Sequence, residues 1–384
     1  HTCAVTIAGG VKCWGYNGHG QPGIGNTADQ TSPVDIPALT IGVAAIAAGD
    51  GHTCLVTTAG GLKCWGNNYY GQLGIGNTSD KASPVDVPGL TSGVVAVSAG
   101  HSHTCVVTTA GGVKCWGYNG HGQLGLGNAT DQTSPVDVLG LASGVAAVAA
   151  GANYTCAVTT VGGVKCWGNV HLSIGNTTDQ TSPVDVPGLT SGVATIAPRA
   201  THTCALTTAG GLKCWGDNSG GQLGIGNTTN QTSPVDVPGF TSGVAAVAAG
   251  DSHTCAVMTT GGVKCWGHNF YGQLGIGSLV NATTPATVPG LVAQVGQVAS
   301  LLVSNLSAGV HALSAVYSGD DGHAGSTSDT VSQTVAPIST TTTIEVSQAS
   351  AVFGEPIAVA AVVSATEGTA TGVITFSVDG AMSA

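Results

Sequence analysis

Short apolar runs alternate with glycine-rich polar segments along most of this chain. GVAAVAAG (243–250) is apolar with β-branched residues, whereas HTCAVMT (253–259) and GVKCWG (262–267) alternate between apolar and polar residues. A period of two predicts half-buried strands, and no stretch shows sustained helical periodicity. A weaker run, TTPATVP (283–289), contains proline and is predicted at a sheet edge, because proline cannot donate to a strand ladder. The pattern predicts an all-β fold.

This set of strands recurs six times. HTCAVTIAGGVKCWG (1–15) returns in five further copies, and the first cysteine of each copy is Cys3, Cys54, Cys105, Cys156, Cys204 or Cys255. Four short strands in a repeat of about fifty residues describe one blade of a β-propeller. A parallel solenoid needs a shorter coil and is less favoured.

The first repeat lacks the apolar strand that precedes the motif in the other copies, so the six-repeat propeller is expected to be open or truncated at blade one. VAQVGQVAS (292–300) follows the last repeat where such a strand would begin. It either closes blade one or starts the next domain, and we favour the second interpretation because the apolar pattern continues beyond it.

Two cysteines ten residues apart flank a glycine turn in every repeat. Pairing Val5 with Val11 across the turn Thr6–Gly10 places Cys3 opposite Cys13, on the same face. Opposed strand residues come within reach of a disulfide after local adjustment. Six bridges are predicted: Cys3–Cys13, Cys54–Cys64, Cys105–Cys115, Cys156–Cys166, Cys204–Cys214 and Cys255–Cys265. The alternatives are reduced, packed thiols and, less favoured because no CxxC knuckle is present, zinc sites.

HTCVVTTAGGVKCWGYNGHGQLGLGN (103–128) resembles the repeat of the regulator-of-chromosome-condensation family. In that family a His-Thr strand, a glycine turn, a Trp-Gly pair and a Gly-Gln-Leu-Gly piece recur on each blade. The resemblance covers 1–290, and repeat four keeps three of the four pieces. It implies a propeller domain at 1–290, commonly of seven blades in the family. Two features depart from the family pattern: the paired cysteines and the presence of only six repeats. The kelch repeat is a less favoured alternative.

The cysteines stop after residue 290. The segments 301–335 and 340–380 resemble the closing and opening strands of bacterial immunoglobulin-like repeats. We therefore expect β-sandwich segments, the C-terminal part of one domain at 291–336 and the N-terminal part of another at 337–384. They form either two incomplete sandwiches or one permuted sandwich. The resemblance implies a stalk on a bacterial surface or secreted protein.

The composition limits the classes of binding partner and the cellular compartments that suit this chain. The net charge is −11, from 8 Lys and Arg against 19 Asp and Glu, and such a surface repels nucleic acid. No apolar run reaches membrane-spanning length, so no membrane insertion is expected. Paired cysteines favour an oxidising compartment, outside the cell or on its surface. The start at His1, without Met, suggests a piece of a longer secreted precursor.

No catalytic or metal-binding pattern emerges. Residues 1–290 contain no Glu, and their Asp residues are mostly expected in recurring loop positions, such as Asp35, Asp86, Asp137, Asp185 and Asp236. The histidine that opens most repeats is expected to be a hydrogen-bonded strand-end residue, and the tryptophan of each repeat a packing residue. No Ser-His-Asp order, phosphate loop or HExxH pattern occurs. We expect no enzyme, no metal and no cofactor.

The repeats differ from one another mainly in the loop that follows CWG. Its aromatic and histidine residues are Tyr16, His19, Tyr69, Tyr70, Tyr118, His121, His171, His268, Phe270 and Tyr271. Equivalent loops of a propeller open on one face, and exposed aromatic clusters on loops are typical binding hot spots. The alternative is that these residues fold back over a glycine-rich blade. Repeats two and six are the richest, so we expect the densest arc there. The loop before each motif varies too, at Asp50, His101, Asn153, Arg199 and Asp251.

These observations favour an extracellular or cell-surface binding or adhesion module, a disulfide-stapled propeller that presents its loops to a protein or glycan ligand. Because the resembling family includes secreted inhibitors of β-lactamase, an enzyme inhibitor is the first alternative. A polysaccharide-active propeller enzyme is the second, and it would need a non-repeated cluster of acids at the ring centre.

Overall fold

The computed structural model describes residues 1–6, 8–37, 39–169 and 178–292, and the residues of eight strands between 309 and 382. The chain divides into two compact units, 1–296 and 297–384.

The first unit consists of six antiparallel sheets, one for each repeat. Blade one contains β1 (Thr2–Val5), β2 (Val11–Gly15) and β3 (Gln30–Asp35). Blade two contains β4 (Val43–Ala48), β5 (His52–Thr57), β6 (Leu62–Gly66) and β7 (Lys81–Asp86). Blade three contains β8 (Val94–Ala99), β9 (His103–Thr108), β10 (Val113–Gly117) and β11 (Gln132–Asp137). Blade four contains β12 (Val145–Ala150), β13 (Tyr154–Thr159), β14 (Val164–Gly168) and β15 (Gln180–Asp185). Blade five contains β16 (Val193–Pro198), β17 (His202–Thr207), β18 (Leu212–Gly216) and β19 (Gln231–Asp236). Blade six contains β20 (Val244–Ala249), β21 (His253–Met258), β22 (Gly262–Gly267) and β23 (Ala282–Val292).

Strand order within every blade follows the chain, and the first strand of each complete blade lies against the first strand of the next blade. The apolar strands β4, β8, β12, β16 and β20 therefore surround a common centre. The last strand of each blade, which carries the proline of the SPV or TPA segment, lies at the outer edge. The structure confirms the predicted all-β propeller of six blades. Blade one has three strands in the described part of the chain. Residues 293–300 lie outside it, so their assignment stays a prediction.

Each blade carries one disulfide across the hairpin of its second and third strands. Cys105 lies opposite Cys115 in the antiparallel register, with 4.2 Å between their Cα atoms. The six bonds are those predicted: Cys3–Cys13, Cys54–Cys64, Cys105–Cys115, Cys156–Cys166, Cys204–Cys214 and Cys255–Cys265. In blades two to five both cysteines are fully buried. Because bulky apolar residues are scarce, the cystines form part of the core between blades.

A tryptophan from the next blade completes the core of each of the first five blades. Trp116 of blade three, for example, packs into the cluster formed by Leu62, Leu73 and Val87 of blade two. The five tryptophans are fully buried: Trp65, Trp116, Trp167, Trp215 and Trp266. A Cβ on Gly74 would lie 2.6 Å from the Trp116 ring nitrogen, so this position requires glycine. The prediction that the tryptophans are packing residues is confirmed for these five.

A threonine hydroxyl also joins neighbouring blades. Thr104 Oγ1 donates to the Gln72 carbonyl at 2.8 Å, and Trp116 Nε1 donates to the same oxygen at 2.9 Å. His52 Nε2 lies 2.8 Å from Thr104 Oγ1. Because the hydroxyl has one proton and gives it to the carbonyl, His52 must donate through Nε2–H. We call this arrangement the inter-blade latch.

The latch recurs around the propeller. The corresponding histidine–threonine pairs are His1–Thr53, His103–Thr155 and His202–Thr254, with distances of 2.8–2.9 Å. In blade four Tyr154 replaces the histidine, and its hydroxyl lies 2.8 Å from Thr203 Oγ1 and donates to the His202 carbonyl. Four of the motif histidines, His1, His52, His103 and His202, are thus hydrogen-bonded at strand ends, as expected.

Burial keeps three of the latch histidines neutral. It lowers the pKa of His52 and His103 from 6.5 to about 3, and that of His202 to about 4. Within the described part of the chain, Nδ1 of these three residues is buried without a hydrogen-bond partner, so a second proton on the ring would have no acceptor.

The second unit contains antiparallel strand pairs: β24 (Gly309–Leu313) with β27 (Val331–Val335), β25 (Val316–Tyr317) with β26 (Ser326–Thr327), β28 (Thr340–Val346) with β29 (Val359–Ala365), and β30 (Ser377–Val378) with β31 (Ala381–Met382). These pairs agree with β structure, while the immunoglobulin-like sandwich stays a prediction.

We predict that the propeller loses stability as pH falls from 6.5 towards 3. In this window the unfolded chain takes up protons on its histidines, whereas folded His52 and His103 stay neutral, so protonation favours unfolding. The double variant His52→Tyr/His103→Tyr, which copies Tyr154, should show a smaller decline of Tm with pH in circular dichroism melts. An identical decline in both proteins would contradict the assignment.

We also predict that the isolated protein contains no free thiols. Titration in denaturant without reductant should detect none, and proteolysis should recover each cysteine pair in one short peptide. Removing one bridge, as in Cys105→Ser/Cys115→Ser, should lower the free energy of unfolding by up to about 2 kcal/mol, because the closed loop is short. Several reactive thiols per chain would contradict the bonding pattern.

Candidate binding face

Two classes of loop meet at one end of the blades. Because the strands alternate in direction, the loop between the first and second strands and the loop between the third and fourth strands lie at the same end. In blade two these are the inner loop 49–51 and the CWG loop 67–80, and the Asn67 amide donates to the Gly51 carbonyl at 2.8 Å. Blades three to six repeat this bond. We call this end the CWG face.

A fixed frame of hydrogen bonds holds each CWG loop. In blade three the buried Asn119 side chain donates to the carbonyls of Asn128 and Thr130 at 3.0 Å, and it accepts the Leu124 amide at 2.9 Å. Asp131 in turn accepts the Asn119 amide at 2.7 Å. The corresponding asparagines are also fully buried: Asn17, Asn68, Asn218 and Asn269. The frame fixes the loop from within and leaves the residues beside the asparagine free to vary.

Several of the predicted binding residues are well exposed. Tyr16, Tyr69 and Phe270 are 58%, 71% and 64% exposed, and Tyr271 is 90% exposed. The half-buried residues are His19, Tyr70, Tyr118, His121 and His268, and His171 lies outside the described residues. The loops therefore combine packed and exposed aromatic residues.

An aromatic row crosses blades two and three. The ring centroids of Tyr69 and Tyr70 are 4.8 Å apart, and those of Tyr70 and Tyr118 are 4.7 Å apart. The ring centroids of Tyr118 and His121 are 6.1 Å apart. The sequence predicts the densest arc in repeats two and six, whereas the ring contacts of this row join the opening parts of the CWG loops of repeats two and three. In blade six, His268 and Phe270 form a separate pair at 4.3 Å.

Histidines of the CWG loops form hydrogen bonds with aspartates of the following blade. His19 Nδ1 lies 2.8 Å from Asp80 Oδ2, and His121 Nδ1 lies 2.8 Å from Asp179 Oδ2. Asp80 also accepts the Asn68 amide at 2.7 Å, so the pair connects the frames of two blades. These two histidines hold neighbouring loops together.

A cavity of about 210 Å³ opens where the inner loops of blades two to six converge. Asp50 Oδ2 lies 2.9 Å from His101 Nε2, and Arg199 Nε donates to Asp251 Oδ1 at 3.1 Å. The remaining lining residues are Gly151, Ala152 and Ala200. We call this site the channel mouth. These loops vary from repeat to repeat in the sequence, but the pattern of one repeat does not predict that they share a cavity.

The described residues contain no group of three His, Cys, Asp or Glu side chains placed to hold a metal ion. Among them there is also no helix that could cross a membrane.

The fold and the repeated motif agree with a known family. The model of the regulator of chromosome condensation (RCC1) repeat matches residues 8–56, 60–107, 110–158 and 210–257, and a second model of the repeat matches 43–72, 94–123 and 244–273. Together these matches cover more than half of the chain. The chain belongs to the RCC1 repeat family.

Individual RCC1-type proteins match all or part of the propeller. The ultraviolet-B receptor UVR8 of Arabidopsis thaliana is 36% identical over 296 residues, which is 76% of this chain and 56% of the receptor. The human probable E3 ubiquitin-protein ligase HERC3 is 38% identical over 168 residues, 43% of this chain and 16% of the ligase. The chain thus spans about half the length of the first relative and less of the second.

Solved structures show the same fold. Human WBSCR16 superposes with a TM-score of 0.65 at 26% identity, covering 74% of this chain and 78% of that protein. Yeast RCC1 (Prp20), in its crystal structure with Kap60, superposes with a TM-score of 0.66 at 21% identity, covering 74% and 72% of the two chains.

We predict that the loop frame depends on its central asparagine. Asn119→Ala removes the side chain that accepts the Leu124 amide and donates to two carbonyls, which leaves buried polar groups unpaired. Loop 118–131 should then be cleaved faster in limited proteolysis, whereas Tyr118→Ala, which keeps the frame, should change cleavage little. Equal protection of the loop in Asn119→Ala and wild type would contradict this role.

Proposed function

We propose that the propeller is a non-catalytic protein-binding module whose CWG face contacts the partner. The observation that carries the proposal is the exposure of Tyr16, Tyr69, Phe270 and Tyr271 on loops whose frames are fixed by the buried side chains of Asn17, Asn68 and Asn269. An aromatic side chain on a rigid loop loses little conformational entropy on binding, which is why such residues are frequent hot spots.

The same residues contribute little to the fold. Tyr271 is 90% exposed, and serine takes the place of Tyr69 in blade five, where the loop frame of Asn218 is the same. Since the frame forms without the aromatic residue, the aromatic side chain is available for binding. The half-buried Tyr70 packs against the exposed Tyr69, and Tyr118 packs against Tyr70.

A protein is a better partner than a small substrate. The aromatic residues are distributed over the CWG loops of several blades, and a broad surface suits a protein contact. The acids at the channel mouth do not resemble a glycosidase pair, because Asp50 lies 2.9 Å from His101 Nε2 and Asp251 is ion-paired to Arg199. The relatives include a receptor and a probable ubiquitin ligase, and this chain matches only 16% of the ligase.

The proposal also concerns the compartment in which the module acts. Six disulfides support a module that acts outside the cell or at its surface, because such bonds persist in oxidising compartments. The segments after residue 290, with their resemblance to bacterial immunoglobulin-like repeats, support display on a stalk.

The test compares two double variants of the full chain. Tyr69→Ala/Tyr271→Ala removes exposed aromatic residues of the CWG face, and the control Ile41→Ala/Val161→Ala removes exposed apolar residues at the opposite end, where each parent side chain is 73% exposed. A partner is first captured on the immobilised wild type and then measured by surface plasmon resonance. We expect at least about a hundredfold weaker binding for the first variant, the loss of two hot spots, and unchanged binding for the control.

Both variants should keep the wild-type Tm. Equal affinity of the aromatic variant and the wild type would contradict the proposal, and so would a loss of binding in the control alone. If the protein binds glycans on an array and this binding depends on the same two tyrosines, the CWG face is still the binding surface. The partner is then a glycan and not a protein.

A further inference from the structure

The two ends of the propeller differ in charge. At the end opposite the CWG face, five aspartates each accept a lysine at 2.6–2.7 Å: Lys12–Asp35, Lys63–Asp86, Lys114–Asp137, Lys165–Asp185 and Lys213–Asp236. These aspartates are the last residues of the outer strands, not loop residues as the sequence suggested. Lys264 lies at this end too, near the start of β22. This end is therefore close to neutral.

The remaining aspartates of the propeller lie on the CWG face: Asp29, Asp50, Asp80, Asp131, Asp179, Asp217 and Asp251. The lysines and arginines on this face are Lys81, at the start of β7, and Arg199. Carboxylates thus clearly outnumber cations on the face that carries the exposed aromatic residues. A face of this kind attracts a basic partner.

The charges at the channel mouth are not required by the fold. The equivalent inner-loop position holds Asp50, His101 and Asp251 in blades two, three and six, but alanine in blades four and five. The backbone bond that closes the loop forms in all five blades, from the residue that precedes this position to the carbonyl at the start of the second strand, at 2.8–3.1 Å. Blades four and five are therefore an internal control, and the charged residues are free to serve binding.

The mouth has unused acceptors. Asp50 and Asp251 are 68% and 77% exposed, and each uses one oxygen in its ion pair. Among the described residues, Asp50 Oδ1 and Asp251 Oδ2 have no hydrogen-bond partner. An ionised carboxylate only accepts hydrogen bonds, so the complementary ligand group is a cation with several N–H donors. The basic groups of the cavity, His101 and Arg199, are already paired with these carboxylates.

We propose that the channel mouth receives a lysine or arginine side chain of a basic protein that binds across the CWG face. The inference rests on the proposed function and specifies its partner: aromatic loops contact the partner's surface, and Asp50 and Asp251 bind one of its cationic side chains. The inner and CWG loops are joined by backbone bonds, so a partner seated on the CWG loops also covers the mouth.

The experiment uses a fluorescent octalysine peptide and the full chain, with fluorescence anisotropy at low ionic strength. Asp50→Asn/Asp251→Asn removes two carboxylates from the mouth. Asp35→Asn/Asp137→Asn removes two from the opposite end, so the change in net charge is the same. We expect about tenfold weaker binding for the mouth variant and less than about twofold for the control. Equal weakening in the two variants, or no binding of octalysine to wild type, would overturn the proposal.

Arg199→Ala is expected to change the affinity for octalysine in the opposite direction, towards tighter binding. Removing the guanidinium frees the Asp251 carboxylate, so octalysine should bind about two- to fivefold more tightly, whereas a purely structural role of the pair would weaken binding. Weaker or unchanged binding would count against the mouth as a cation site.

The captured protein partner separates this inference from the proposed function. If Tyr69→Ala/Tyr271→Ala loses the partner and Asp50→Asn/Asp251→Asn keeps wild-type affinity, the mouth inference fails and the binding face stands. If both variants keep wild-type affinity, both proposals fail.

Discussion

A single hydroxyl proton organises the contact between neighbouring blades. Thr104 gives that proton to the Gln72 carbonyl, so His52 must supply the proton of the next bond, and burial keeps its ring neutral. The accepting glutamine belongs to the CWG loop of the preceding blade. The bond therefore does two things at once: it joins blades, and it sets where each variable loop lies relative to the next. The relative positions of the loops on the CWG face therefore depend on this hydrogen bond.

Repeat four shows that a blade still forms when the hydrogen bonds of the inter-blade latch are altered. It lacks the Gly-Gln-Leu-Gly piece, and among the described residues Trp215 Nε1 has no acceptor, unlike the corresponding nitrogen of Trp116. Tyr154 replaces the histidine and reaches Thr203 with its hydroxyl. Trp215 stays fully buried all the same. Apolar packing and the disulfide thus maintain a blade whose polar latch is altered, and variation is concentrated in the loops.

The sequence predicted what is local to one repeat. The strands and the bridge Cys105–Cys115 follow from alternation and from ten-residue spacing, because both partners lie in the same hairpin. The contact of Tyr70 with Tyr118 and the ion pair of Arg199 with Asp251 join different repeats. Such contacts depend on the angle between blades and on how inner loops converge at the centre, and neither quantity is encoded in the pattern of a single repeat. For the same reason the channel mouth emerged only from the structure.

The central claim is that the partner covers the CWG face. Hydroxyl-radical footprinting of the full chain, read by mass spectrometry with and without the captured partner, measures it directly, because labelling follows side-chain exposure. The account predicts that Tyr69, Phe270 and Tyr271 lose most of their labelling in the complex, while Ile41 and Val161 at the opposite end keep theirs. Protection of Ile41 and Val161 with the three aromatic residues still labelled would contradict it.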